Sequence, residues 1–211
     1  MAAPQQRRAL TAALAALLLA GCGGSSEGGI SGGGKVIGRT VTVYSLTSDP
    51  AGANRDFVDG EKLALADAGG RAGALAVNFS SLDLGGADEK LQAQAARRAI
   101  NDPQIIAAVV DATTVTVPLF NAAGVLQVAP GGDASLASDP HALPSGRRTV
   151  ASLPAAAVPP SFDADFEREF GRAPGADAEQ GYRAMAGVIA AIGDAGSGGN
   201  DRTRVIDAYF R

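Results

Sequence analysis

Thr40-Val41-Thr42-Val43-Tyr44 alternates threonine with valine, both β-branched, and predicts a strand. A loop with Asp49-Pro50 and Gly52 follows. The next pattern predicts a helix over about 54–68, closed by Gly69-Gly70 as a helix C-terminus often is. A second strand is expected over Leu75–Ser80. A second helix is expected over 87–100, with Leu91, Ala95 and Ala99 on one face and Asn101-Asp102-Pro103 ending it. Ile105 to Val110 is an unbroken apolar run, the signature of a central parallel strand covered on both faces. A short helix over 113–123 stops at Gly124, and 125–129 predicts another strand. This βαβαβαβ order implies an α/β fold: a Rossmann-like parallel sheet with flanking helices and right-handed crossovers. Residues 131–161 read as loop. Three helices are expected after it. Phe162, Phe166 and Phe170 form a stripe on the first. The second covers 176–195, with Tyr182, Met185, Ile189 and Ile192 at helical spacing. The third covers 201–210, with Asn200 as its N-cap.

The N-terminal pattern is different. Arg7 and Arg8 precede an apolar run, 9–20, broken only by Thr11. That run is shorter than the ~20 residues needed to span a bilayer core, so it reads as a secretory signal. Leu19-Ala20-Gly21-Cys22 resembles the lipobox of bacterial lipoproteins. The resemblance implies cleavage before Cys22 and acylation of its sulfur. Several acyl chains, at ~0.8 kcal/mol per buried CH₂, hold a protein stably on a membrane. Residues 23–34, GGSSEGGISGGG, read as a flexible Gly/Ser tether. The expected organisation is a signal over 1–21, a tether over 22–34 and one lobe over 35–211.

Composition narrows the function. The chain carries 18 basic and 22 acidic residues, a net −4. Loss of the signal removes two arginines and no acids, leaving −6. An acidic chain without basic runs argues against nucleic acid as a partner. Cys22 is the sole cysteine, so a lipid there leaves no disulfide and no cysteine metal site. No cofactor is expected. With no Trp, the core must be built from Ala, Val, Leu and Ile. His141 sits among Asp139, Pro140 and Pro144 and reads as a loop residue. No phosphate-binding loop, dinucleotide fingerprint or nucleophile elbow occurs, and no enzyme constellation is found.

Ligands of open parallel sheets bind outside the carboxyl ends of the strands. Tyr44–Thr47, Ser80–Asp83 and Asp111–Thr114 are all expected at such ends, so three loops can converge there. Taken singly, their Ser, Thr and Asp residues fit turn and helix capping equally well.

Several segments, in order, resemble the substrate-binding lipoproteins of branched-chain amino-acid ABC transporters, which have the type I periplasmic binding fold. They are VTVYSLTSDPAGANRDFVDGEKLALADAGG, NFSSLD, ARRAINDPQIIAAVV, PLFNAAGVLQVAPG, PSGRRTV, FDADFEREFGRAPGADAEQGYRAM and DRTRVIDAYF. The resemblance implies a receptor for an amino acid or similar small polar solute, partnered by an ABC permease. It implies ligand contacts from Ser45, Thr47, Ser81, Asp83, Thr113 and Thr114. It also implies two lobes joined by three crossings. Here the segment 149–160, TVASLPAAAVPP, stands where most of the second lobe is expected, between an N-terminal βα part (35–148) and returning helices (161–211). The family continues with further strands after the point matched by Phe210-Arg211. The turn after the third strand is short, and Asp111 stands where a ligand carboxylate is expected. Weakened ligand binding follows as an expectation. A lipid-anchored interaction module or a receptor fragment without function stays open beside it.

Overall fold

The computed structural model describes residues 34–155 and 157–211. The signal, Cys22 and the tether up to residue 33 lie outside the described residues.

Among the described residues six strands form one sheet: β1 (Thr40–Thr47), β2 (Arg71–Ala72), β3 (Leu75–Asp83), β4 (Ile105–Val110), β5 (Leu126–Ala129) and β6 (Val150–Ser152). Their order is β2-β3-β1-β4-β5-β6. All neighbours run parallel except β2 against β3. Every residue of β4 is buried, as its unbroken apolar run requires of a strand covered on both faces.

The helices are α1 (Arg55–Asp67), α2 (Glu89–Ile100), α3 (Thr116–Ala122), α4 (Phe162–Phe170), α5 (Ala178–Asp194) and α6 (Arg202–Tyr209). One face of the sheet carries Val41, Val43, Ala107 and Val109, packed with Phe57 and Ala64 of α1, Met185 and Val188 of α5, and Val205 and Ile206 of α6. The other face carries Leu46, Ile105, Ala108 and Val110, packed with Ala95, Ala96 and Ala99 of α2 and Phe120 of α3. The Phe162–Phe166 stripe of α4 closes on Leu63 and Ala178, outside α1. Arg172, just past α4, pairs with Asp56 and Asp59 of α1 and lies over the Phe166 ring.

The elements differ from the sequence expectation at their ends. β1 runs to Thr47 and β3 to Asp83, because both strands stay paired throughout, Thr47 opposite Asp83. The helix expected from 113 starts at Thr116, since the Thr113 side chain turns back to cap it. Asn200 is not the cap of α6. The Asp201 carboxylate accepts from the Thr203 and Arg204 amides at 3.0 and 3.3 Å, whereas Asn200 Nδ2 donates to the Val36 carbonyl at 2.8 Å.

The segment 131–161, expected as loop, contains a 3₁₀ turn over Ala134–Ala137 and the strand β6. Three residues are too few to display a period. A buried side chain steers the chain into this strand: Asn121 Nδ2 donates to the Arg147 carbonyl (2.7 Å) and the Thr149 hydroxyl (2.8 Å), while its Oδ1 accepts from the Ser145 amide (2.9 Å). On β6, the Val150 carbonyl accepts from Arg148 Nε at 3.4 Å and the Ser152 carbonyl from the Tyr209 hydroxyl at 3.2 Å.

Helices α1 and α5 cross at two glycines. A Cβ on Gly60 would collide with the Ala178 carbonyl, and one on Gly181 with the Phe57 carbonyl. In an exposed helix Gly→Ala stabilises by about 0.5–1 kcal/mol. At this crossing the sign reverses: Gly181→Ala should cost about 1–3 kcal/mol through overpacking, read as a lower urea midpoint at unchanged m-value.

Candidate functional site

Strand order reverses at β1, with β3 on one side and β4 on the other. The crevice outside the carboxyl ends of β1 and β4 is therefore the topological switch point of the sheet, the place where such folds take ligands.

The first two loops at this edge are tied together. Asp49, at φ 48°, donates its amide to Asp83 Oδ1 at 3.3 Å. The same oxygen accepts from the Gly85 amide at 2.8 Å. Ser48 Oγ accepts from the Gly86 amide at 3.1 Å, and Asp49 Oδ2 from the Ala53 amide at 2.9 Å. Asp83 thus staples two loops and spends one carboxylate oxygen on the protein's own backbone.

The loops after β4 and β5 are joined through their main chains. The Ala112 amide donates to the Gly131 carbonyl at 3.0 Å, and the Asp133 amide donates to the Ala112 carbonyl at 2.8 Å. Gly132 adopts φ 95° and lies so close to Ala112 that a Cβ would strike its carbonyl. Thr113 closes the first turn of α3: its Oγ1 accepts from the Val115 and Thr116 amides at 3.2 and 3.0 Å, while its own amide donates to Thr116 Oγ1 at 3.0 Å. Four amides at the end of β4 (Ala112, Thr113, Val115 and Thr116) are therefore bonded within the chain. These are the kind of donors a carboxylate ligand needs.

The expected ligand residues fall into three groups. Ser45 and Thr47 belong to β1 rather than to a loop. Both are buried, on the face covered by α1, and neither hydroxyl finds a partner. Ser81 is the register partner of Ser45 and shares this position; its hydroxyl is covered too, although the residue lines a broad cleft with Pro50, Arg55, Asp59 and Phe170. Asp83 and Thr113 lie at the edge and hold loops and helix together. Thr114 is exposed on the rim. The fold brings Asp83, Thr113 and Thr114 to the edge and turns Ser45, Thr47 and Ser81 under α1.

The sequence reading missed the other side of the edge. Ala112, Gly131, Gly132, Val150, Ser152 and Leu153 line a cleft of about 310 Å³. The turn Pro130-Gly131-Gly132 directly after an apolar strand was the signal available for it. Asp111 borders this cleft, half-buried, near Gly131. Burial raises its carboxyl above the ordinary 3.8, with a hydrogen bond from Gly131 pulling it partly back. A carboxylate there repels an anionic ligand. Among the described residues no group of three or more His, Cys, Asp or Glu side chains is placed to hold a metal. Among them, too, no helix is long and apolar enough to cross a membrane.

Comparison with known proteins gives a match of architecture. No family model and no curated protein matches the chain. Solved structures do, among them three covered over most of their length. A leucine binding protein from Thermotoga maritima matches with a TM-score of 0.58 at 13% identity, covering 80% of this chain and 87% of that one. An ABC transporter substrate-binding protein from Desulfitobacterium hafniense matches at 0.58 and 10%, covering 81% and 88%. A protein from Rhodospirillum rubrum assigned to branched-chain amino acid ABC transport matches at 0.59 and 13%, covering 81% and 88%. The mostly parallel sheet with its flanking helices is the α/β architecture shared with these structures.

Asp111 gives a test with a definite sign. The folded chain holds this proton more tightly than the unfolded chain, so its contribution to stability is complete in acid. The contribution declines as pH rises past the ordinary aspartate value and through the raised one. Asp111→Asn should fold and should lack that part of the decline, seen by comparing urea midpoints of the two chains at acid and neutral pH.

Proposed function

We propose that this chain is the lipid-anchored, extracytoplasmic solute receptor of an ABC transporter, built for branched-chain amino acids or similar small polar solutes and binding them weakly. The observation that carries the reading is the switch-point edge. A fold alike in solved substrate-binding proteins supports it: Asp83, Thr113 and Thr114 follow β3 and β4 at this edge, and a separate cleft opens past the ends of β4, β5 and β6. Its organisation is a signal (1–21), a tether (22–34) and a lobe (35–211) in which 149–160 replaces a second lobe. The partners are a membrane permease and, through the lipid on Cys22, the membrane itself. No reaction is catalysed.

The weakness follows from three features. The amides after β4 already have acceptors, and Asp111 opposes a carboxylate. Small-molecule sites bury roughly 70–90% of their ligand, whereas one lobe covers about half. A micromolar site, about −8 kcal/mol, that lost half its contacts would fall to roughly −4, near millimolar. Titration calorimetry of the purified chain with leucine, isoleucine and valine should give no micromolar binding; a micromolar constant would overturn the weakness.

The same occupied amides favour a second reading, a lipid-anchored interaction module whose carboxyl edge meets another protein. A dimer in solution would support this reading, whereas a monomer fits the receptor.

The anchor is tested separately. The chain expressed in a bacterial host should partition with membranes and take up labelled palmitate, and Cys22→Ser should abolish both. Retention of label by the variant would refute lipidation at this residue.

A further inference from the structure

Helix α1 presents Phe57, Glu61 and Ala64 at i, i+4 and i+7. Phe57 and Ala64 join the apolar cluster on the sheet. Glu61 lies between them on the same stripe and has no exposed surface. Its two carboxyl oxygens make no hydrogen bond of full geometry, and the Ser45 hydroxyl is the polar side chain close enough to act on it. The sheet beneath is polar at this spot. Ser45, its register partner Ser81, and Thr47 two residues further along all have covered, unpartnered hydroxyls.

The surrounding charges are engaged elsewhere. On α1 itself, Asp59 is paired with Arg172, Arg55 and Lys62. Lys62 is the cation whose field reaches Glu61, but its ammonium is half-exposed and bonded to Asp59 at 2.9 Å. On α5, Arg183 pairs with Glu179, and the Tyr182 hydroxyl donates to Asp67 of α1. On α4, Asp165 pairs with Arg168. On β3, Asp83 accepts from loop amides. The neighbouring β4 carries no charged residue.

We infer that Glu61, sealed between α1 and the sheet with only hydroxyls beneath it and no cation of its own, keeps its proton at neutral pH, and that its ionisation loosens α1 and the loop leading into it. An ionised carboxylate in such a place requires a paired cation or several donors, and a neutral acid requires far less. Burial pushes its carboxyl well above the ordinary 4.5, and the opposing pulls of Ser45 and Lys62 are smaller. The sign follows. Below the ordinary glutamate value both folded and unfolded chains hold the proton, and stability is complete. Above it the unfolded chain ionises while the folded chain does not, so stability falls with rising pH until the folded value is passed. Helix α1 also carries the crossing with α5 and follows the stapled loop at Ser48 and Asp49. Its loosening therefore acts on the switch-point edge.

The test is urea unfolding of the full chain and of Glu61→Gln, from about pH 5 to pH 9. Above the ordinary glutamate value and below the folded one, the unfolding constant of the native sequence should rise by up to about tenfold per pH unit through this one proton. Glu61→Gln, which keeps shape and hydrogen-bonding ability without the proton, should lack that component. Equal slopes in the two chains would overturn the inference. Should the variant not fold, isotope-edited infrared spectroscopy of the native sequence decides. A protonated buried carboxyl band at pH 7, lost from the difference spectrum only at higher pH, supports it; only ionised glutamate at pH 7 overturns it. Amide exchange of Arg55–Asp67, corrected for intrinsic rate, should accelerate over the same range more than that of α2. Equal acceleration would remove the claim that α1 is the element released.

Discussion

The contact between α1 and α5 is the constraint on which the rest of the structure depends. One helix follows the first strand, and the other comes from beyond the long segment after β5. Gly60 and Gly181 let their backbones approach until carbonyls occupy the space where Cβ atoms would otherwise be. That approach brings Met185 and Val188 onto the sheet beside Phe57 and Ala64. A chain with no tryptophan and few aromatics cannot fill wide gaps. It fills narrow ones, with alanines at Ala64, Ala184 and Ala191, and the two glycines make the gap narrow. The ion pairs of Arg172 with Asp56 and Asp59 then hold the segment after α4 against the same helix from its outer side.

The candidate edge shows a competition between self-bonding and binding. Loop amides that receive a ligand must be held in place, yet they must also be left without an internal acceptor. Here the holding has gone further than the leaving. Asp83 fastens the first two loops, Thr113 caps its own helix, and Ala112 and Gly131 pair their main chains. Each bond satisfies a group that would otherwise be buried or frayed. Together they give a rigid rim with fewer donors facing outward. The open side of the rim is the cleft by Gly132 and Leu153, walled largely by apolar atoms.

Much of this fold was legible in the sequence. Ile105–Val110 named the central strand because burial on both faces demands a continuous apolar run. The helix ends at Gly69-Gly70 and Gly124 were marked by residues that tolerate a left-handed backbone. β6 was hidden, because three residues among prolines and serines carry no period and their place is set by Asn121, which is distant in sequence. The site was legible as an edge and less so as side chains. Ser45, Thr47 and Ser81 sit at the right ends of the right strands, but alternation along a strand sends every second residue to the face under α1. Whether a hydroxyl looks into the crevice or beneath a helix depends on where the strand stops, and local propensity fixes that to no better than a few residues. The cap by Thr113 was among the readings the sequence allowed. The capture of the Ala112 and Asp133 amides required two loops whose meeting only the folded chain determines.

The last strand of the sheet has a consequence for how this protein behaves in company. A sheet ending in a free strand offers its carbonyls and amides to any other chain that arrives extended. On β6 the Val150 and Ser152 carbonyls are already occupied by Arg148 and by Tyr209 of α6, and at the opposite border β2 is only two residues long. Beyond β2, the outer side of β3 has no strand partner over 78–83 among the described residues, so the sheet is blocked along β6 and open along β3. Another extended chain therefore meets free main-chain groups along β3 rather than along β6.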